Sequence, residues 1–561
     1  MTVSQRSNLR TGGQVLVDAL EVHGAEVSFL VPGESYLAVL DALHDSKIRS
    51  LGARHEGGAA IMAEAYGKLT GQPGIAMVTR GPGATNACHG VHIAFQDSTP
   101  MILLVGQVGR SMAEREAFQE IDYRRMFGEM TKWVAQIDDA DRIPEYVSRA
   151  FHTALSGRPG PVVLALPEDM LLELSEVADA TPHRIAEAAP TPGAMAELRA
   201  RLAKAERPLV IAGGGGWDQG ARDDLLAFAE ANALPVAVSF RAQDLFDNRH
   251  PNYAGHVGVG VDPELGERVR TADLLVVIGP RLGEMTTSRY TLLDVPTPKQ
   301  ALVHIHPGAE ELGRVYQPTL PINAAVGTFM AAAAALEPVE GKRWAAWTAA
   351  AHADYLVHAE PVAMPGALQL GEVVAHMSEV LPEDAILCND PANFAIWLHR
   401  HFKYRGRKSQ LAPTSGSMGY GVPAAVAAKT VAPERTVVCV SGDGSFQMTS
   451  NEVATAVQHG LAIVFIVVNN GLYGTIRMHQ ERDYPERVIA TELYNPDYVK
   501  LAEAYGAHGE LVERTQDFAP AFERALKAGR PAIMEVRIEP DAITPTATLS
   551  GLRAAALAKK G

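Results

Sequence analysis

Hydrophobic positions along this chain gather into short continuous runs, separated by stretches of helical period. From residue 14 the run "QVLVDALEVHG" is amphipathic and stops at Gly24, a residue suited to the turn past a helix end. "VSFLVPG" follows as a strand, and "SYLAVLDALHD" returns to helical spacing. The runs "GIAMVT", "MILLVGQ" and "GPVVLALP" then alternate with helical stretches as far as about residue 170. Apolar strands alternating with helices predict a parallel sheet covered on both faces.

The pattern breaks at the Ala/Pro-rich "ATPHRIAEAAPTPGAMAEL" and resumes with "PLVIAGGGG", "LPVAVSF", "DLLVVIG" and "ALVHIHP", a second set of buried strands. A second break covers roughly residues 340 to 368, where strand signals are few. A third block opens with "GEVVAHMSEVLPEDAILCND" and holds three candidate central strands in "RTVVCVSGDG", "LAIVFIVVNN" and "PAIMEVRI". The expected fold class is α/β, with three successive parallel-sheet domains over residues 1–185, 186–355 and 356–561. No short-period repeat is visible.

Composition narrows the function classes. The 561 residues are 47% hydrophobic, ample for several buried cores. The net charge of -15 disfavours nucleic acid or an anionic membrane surface as partner. Cys88, Cys388 and Cys439 lie far apart, with neither a paired metal-binding spacing nor a disulfide framework. The N-terminal stretch lacks the pattern of a secretory signal, and no run approaches the ~20 apolar residues of a spanning helix. The expectation is a soluble, cytoplasmic protein.

Candidate chemistry concentrates between Gly442 and Asn470, in "GDGSFQMTSNEVATAVQHGLAIVFIVVNN". A strand runs into "GDGS", a helix follows, and a second strand delivers Asn469 and Asn470. In open parallel sheets ligands bind at the carboxyl ends of strands, so the two polar ends should converge. Asp443, the Asn470 amide oxygen and the Leu472 carbonyl are hard oxygen ligands suited to Mg²⁺, which takes further oxygens from phosphates. Either end alone reads as readily as a turn.

Together, at this separation, GDG and NN resemble the thiamine-diphosphate motif. The rest of the chain resembles the acetolactate synthase-like family of thiamine-diphosphate-dependent enzymes, through "VPGESYLAVLDAL", "RHEGGAAIMAEAYGKLTG", "RGPGATN", "AFQE", "TKW", "GRPGPVVLALPED" and "SGSMGYGVPAA". The resemblance implies pyrimidine-binding, central and diphosphate-binding domains, in that order. It implies thiamine diphosphate and Mg²⁺ as cofactors, the metal on Asp443, Asn470 and Leu472. Glu56 takes the place of the catalytic glutamate, whose hydrogen bond to the cofactor's aminopyrimidine ring activates it. Alternatively, Glu56 is a helix-start residue favoured by the dipole. Met418 matches the apolar residue beneath the cofactor, and the Gly416 carbonyl should accept from its amino group. Pro32, Gly33, Gly81, Gly83, Asn86, Gly442, Gly444, Ser445, Tyr473, Gly474 and Thr475 complete the implied cofactor contacts. Gln119 and Lys132 match substrate-pocket positions, with surface readings also open.

The family pairs the pyrimidine-binding domain of one subunit with the diphosphate-binding domain of another, which implies a homodimer or homotetramer. The implied substrates are a small 2-keto acid and an aldehyde or keto acid acceptor. Several residues depart from the family's pattern. Thr475 replaces a methionine, His479 stands at a tryptophan position, and Glu34 replaces a glycine. In "GPRLGEMTTSR" Arg281 survives but the paired aspartates of the flavin-binding segment do not, so FAD is expected to be weakly bound or absent. There is no histidine pair in the first domain, and Ile476 sits where decarboxylases carry a protonating glutamate. Ligation is therefore favoured over a non-ligating decarboxylase or aldehyde lyase. A non-catalytic homologue is a further alternative, opposed by the joint presence of Glu56, Asp443 and Asn470.

Overall fold

The computed structural model describes residues 9–406 and 408–560. The chain divides into two compact units, one ending at Ala186 and one beginning at Glu187. The first unit holds one six-stranded parallel sheet and the second holds two. No helix among the described residues is long and apolar enough to cross a membrane.

In the first unit helix α1 (Gly12–Val22) starts at Thr11, whose hydroxyl accepts from the Gln14 N–H while the Gln14 side chain accepts from Thr11 N–H. The chain continues through β1 (Val27–Leu30), α2 (Leu37–His44), β2 (Arg49–Gly52), α3 (Glu56–Thr70), β3 (Gly74–Val78), α4 (Pro82–Asp97), β4 (Met101–Gln107), β5 (Trp133–Gln136) and β6 (Pro161–Pro167). The order across the sheet is β2-β1-β3-β4-β6-β5. Ile102, Leu104, Val162 and Leu164 are buried on one face and pack on α1 and the helix Ile143–Leu155 side, so each contributes about 1.5–3 kcal/mol of burial.

The second unit begins with β7 (Pro208–Ala212), β8 (Val236–Val238), β9 (Tyr253–His256), β10 (Leu274–Ile278), β11 (Ala301–His306) and β12 (Leu320–Asn323), in spatial order β9-β8-β7-β10-β11-β12. Residues around the second break in the pattern form helix α5 (Ala345–His358). The fully buried Trp344 just before it donates from its indole N–H to the Asn232 carbonyl at 3.0 Å. This stretch is therefore packed structure: Ala351 and Tyr355 of α5 are buried, and Trp347 packs against the core.

The last sheet is built from β13 (Ile386–Asn389), α6 (Phe394–His401), β14 (Gln410–Leu411), α7 (Gly421–Val431), β15 (Val437–Gly442), α8 (Asp443–Thr449), β16 (Val464–Asn469), α9 (Gly474–Asp483), β17 (His508–Val512), β18 (Ala532–Arg537) and the C-terminal α10 (Leu549–Lys560). Its order is β14-β13-β15-β16-β18-β17. Numbered within each sheet, the first and last share the order 2-1-3-4-6-5, while the middle sheet runs 3-2-1-4-5-6. In both orders the winding reverses beside the first strand, which opens a crevice at the carboxyl edge where ligands bind.

Candidate active site

In the last sheet that crevice lies between β13 and β15. Asp443 follows β15 as the first residue of α8, so the helix expected after "GDGS" already begins within that motif. An acidic residue in the first turn is favoured by the helix dipole, and a second short helix, Glu452–Gln458, follows after a break. Asp443 is only 3% exposed. Its Oδ1 accepts from Gly444 N–H at 3.0 Å, and its Oδ2 from Gly471 N–H at 2.9 Å and Asn495 Nδ2 at 2.8 Å. These donors are neutral, and burial pushes the carboxyl above its ordinary pKa. A cation at this carboxylate would offset that burial.

Asn469 ends β16 and is tied into the same junction: its Oδ1 accepts from Gly471 N–H at 3.0 Å and Asn495 Nδ2 at 2.9 Å, and its Nδ2 donates to Glu535 at 2.8 Å. Gly471 turns the chain with φ +67°. Asn470 Oδ1 then accepts from Leu472 N–H at 3.1 Å. A Cβ on Gly444 would lie 2.6 Å from the Tyr473 ring, so only glycine admits that contact. Ser445 is buried, and Gly442 lies against the Phe394 ring. Thr475, in the first turn of α9, donates to Asn393 Oδ1 at 3.1 Å and accepts from Asn393 N–H at 3.1 Å. The starts of α6 and α9 thus meet at one edge, where their positive dipole ends suit phosphate.

The "SGSMGYG" loop is held from below by Asp390, the residue after β13. Asp390 is fully buried; its Oδ1 accepts from Tyr420 N–H at 2.6 Å and Gly421 N–H at 3.1 Å, at the start of α7. Burial raises this carboxyl as well. Thr449 at the end of α8 donates to the Gly419 carbonyl at 2.9 Å, so the helix that begins at Asp443 also fixes the loop bearing Met418. Met418 is half-buried, and Gly416 is exposed with φ +71°.

In the first unit α3 opens at Glu56 behind His55, whose ring nitrogen accepts from Gly57 N–H at 3.0 Å. Helices α3 and α4 pack at backbone distance, because a Cβ on Gly90 would lie 2.5 Å from that of Ala60. One turn earlier on each helix, this register sets Asn86 against Glu56, with Asn86 Nδ2 donating to Glu56 Oε2 at 2.9 Å. A Cβ on Gly83 would lie 3.5 Å from Glu56 Oε1. Gly81, at φ +60°, donates its N–H to the Tyr123 hydroxyl at 2.9 Å and lies against Gln119. Gly33, next to the exposed Pro32, lies against Thr79. Glu56, Asn86, Gly33, Gly81, Gly83 and Gln119 thus belong to the carboxyl edge of this sheet. Lys132 does not join them. It precedes β5, pairs through its N–H with the Pro161 carbonyl, and donates from Nζ to the Ser156 carbonyl at 2.6 Å, at the amino edge.

Four polar residues at these edges escaped the sequence reading: Arg80, Asp390, Asn393 and Asn495. The first three lie within four residues of the end of an apolar strand, a position that could have flagged them. Asn495 lies far along the chain from Asp443 and carries no local signal. Glu34, the departure noted above, pairs with Arg80 at 3.4 Å.

Two Asp/Asn-bearing strand ends at a phosphate-suited crevice define a class of enzyme that anchors a phosphorylated cofactor through its last domain. Family models agree: the N-terminal binding domain of thiamine pyrophosphate enzymes matches residues 10–126, their central domain residues 195–333, and their C-terminal binding domain residues 390–536. The chain is 30% identical to a probable acetolactate synthase large subunit of Methanocaldococcus jannaschii, over 95% of this chain and 93% of that one. It is 29% identical to the large subunit of acetolactate synthase isozyme 2 of Escherichia coli, over 94% and 95%. With the acetolactate synthase large subunit of Corynebacterium glutamicum it shares 31% over 95% and 87%. The chain belongs to the acetolactate synthase-like family of thiamine-pyrophosphate-dependent enzymes.

Proposed function

We propose that this enzyme decarboxylates a small 2-keto acid and joins the remaining fragment to a second carbonyl compound. It is a thiamine-diphosphate-dependent carboligase. When bound, the cofactor supplies the carbon nucleophile that the reaction needs. The junction of Asp443, Gly471 and Asn469 carries the reading, because it holds a buried carboxylate with neutral donors only at the edge where two helix starts meet. Asp443, the Asn470 amide oxygen and the Leu472 carbonyl would hold Mg²⁺. Gly442, Gly444, Ser445, Tyr473, Gly474 and Thr475 would line the diphosphate.

Glu56, steadied by Asn86 Nδ2, would donate or accept a proton at the pyrimidine ring of the bound cofactor. Pro32, Gly33, Gly81 and Gly83 would leave room beside Glu56 for an aromatic ring, and Gly416 and Met418 of the last domain would contact the bound cofactor. Gln119 faces the substrate. The exposed side chain of Ile476, in the first turn of α9, offers no proton to the decarboxylated donor, which supports ligation. Flavin is weakly bound or absent, in keeping with Arg281, whose Nε pairs with Glu311 at 3.3 Å. The working form is a homodimer or homotetramer in the cytoplasm, and its domains divide at residues 185 and 355.

Incubating the enzyme, thiamine diphosphate and Mg²⁺ with pyruvate and a panel of aldehyde and keto acid acceptors tests the reading. A hydroxyketone or hydroxy-keto acid product is expected. Release of free aldehyde alone, with every acceptor, would sink it.

A further inference from the structure

At the carboxyl edge of the first sheet stands Arg80, which follows β3 by two residues and is 7% exposed. Its three guanidinium nitrogens reach three different loops. Nη1 donates to Glu168 Oε2 at 2.8 Å, just past β6, and Nη2 to Glu34 Oε1 at 3.4 Å, past β1. Nε donates to the Phe118 carbonyl at 3.2 Å, in the long connection after β4. Its own N–H lies 3.4 Å from the Ser35 hydroxyl. A planar fork of fixed donors can satisfy such a divergent set, and a lysine ammonium cannot.

The Phe118 carbonyl belongs to the peptide that carries Gln119. Gln119 has φ +65°, a left-handed conformation that a residue with a side chain adopts only under outside constraint. On its other side it is pressed against Gly81, where a Cβ would lie 2.7 Å from the Gln119 Cβ and 2.8 Å from its carbonyl oxygen. The Phe118 ring is 71% exposed, so hydrophobic packing of that ring does not hold the segment.

We propose that Arg80 is a positioning residue: braced by Glu168 and Glu34, it grips the Phe118 carbonyl and thereby sets Gln119 in the substrate pocket. The inference rests on the functional reading above for Gln119's role. It also gives Glu34 a task, since that carboxylate serves Arg80 and not the substrate.

Arg80→Lys keeps the charge and loses the fork. The variant should lose about 10–100-fold in kcat/KM for ligation, as expected for a misplaced pocket residue, with the half-saturating thiamine diphosphate concentration shifted by less than about 3-fold. Added to Gln119→Ala, the same change should cost less than about 3-fold more, because residues acting as a unit are not additive. Hydrogen exchange of the amides from 117 to 121 should accelerate, while those of β3 and β4 stay protected. Equal losses in both backgrounds, or unchanged exchange at 117–121, would overturn the proposal. If the parent enzyme turns over no 2-keto acid, the functional reading fails by itself, and the exchange measurement still decides what Arg80 holds. Should Arg80→Lys fail to fold, Glu168→Gln removes the shortest brace and is expected to move the same readouts in the same direction.

Discussion

The backbone N–H of Gly471 donates to Oδ2 of Asp443 at 2.9 Å. Two segments that leave adjacent parallel strands, β15 and β16, are thereby locked into one junction, and a carboxylate that burial would otherwise penalise is kept in place.

Replacing that carboxylate should separate binding from folding. Asp443→Asn retains size but places an amide beside the Gly471 and Asn495 donors, and removes the charge that Mg²⁺ needs. Calorimetric titration with thiamine diphosphate and Mg²⁺ should show affinity falling by about 100-fold, equal to losing a charge-assisted contact of ~3 kcal/mol. Affinity within a factor of two of the parent would remove Asp443 from the metal site.

Glu56→Gln should preserve the Asn86 contact, since the amide oxygen still accepts from Asn86 Nδ2. Cofactor affinity should therefore change little while turnover drops by about 10²–10⁴, the usual worth of a positioned acid-base group. Steady-state rates at saturating cofactor check this, and undiminished turnover would assign Glu56 to helix capping alone.

Asp390→Ala would leave the Tyr420 and Gly421 N–H groups without an acceptor in a buried site, at a cost of about 1–3 kcal/mol. Because those groups start α7, the loop bearing Met418 should loosen as well. The expected outcome is a lower melting temperature together with weaker cofactor binding. Loss of stability without any change in cofactor affinity would show that the loop is held by other contacts.

A cluster of buried histidines predicts acid sensitivity. His256, at the end of β9, stacks edge-on against His399 of α6 with ring centroids 5.5 Å apart, and His358 and His401 lie close by. Burial first, then a neighbouring positive group (His358 for His256, Arg400 for His358 and His401, Arg241 for His399), pulls His256, His358 and His401 down from 6.5 to about 4, and His399 well below its ordinary value. These rings are neutral in the folded state, so between about pH 6.5 and 4 the unfolded chain binds more protons. Stability should be complete above pH 6.5 and decline as the pH falls towards 4, with about 2–4 °C of melting temperature lost per kcal/mol. Thermal melts across this range test it, and His399→Phe should flatten the decline. A melting temperature independent of pH there would mean the cluster is already protonated or paired.

How much of this was legible beforehand follows burial closely. The interior strands of the first two sheets, and β15, β16 and β18 of the last, read directly as apolar runs because both their faces are covered. The edge strands β2, β5, β9, β12, β14 and β17 did not stand out. They have neighbours on one side only, several are half-exposed, and "RSLG" or "HGELV" carries no continuous apolar signal. Asp443 and Asn470 were legible because each stands just past such a run. Asn495 was not, since its place depends on a loop folding back over the junction.

The sequence alone determined the alternation of buried strands and helices, and with it which residues would stand at strand ends, because a strand buried on both faces must be apolar and must stop where polar groups begin. Only the tertiary structure decided which ends meet: that Asn495 closes on Asp443, that Arg80 joins three loops, and that Lys132 lies at the edge away from Glu56. Contacts of that kind depend on strand order and helix register, which no local run of residues encodes.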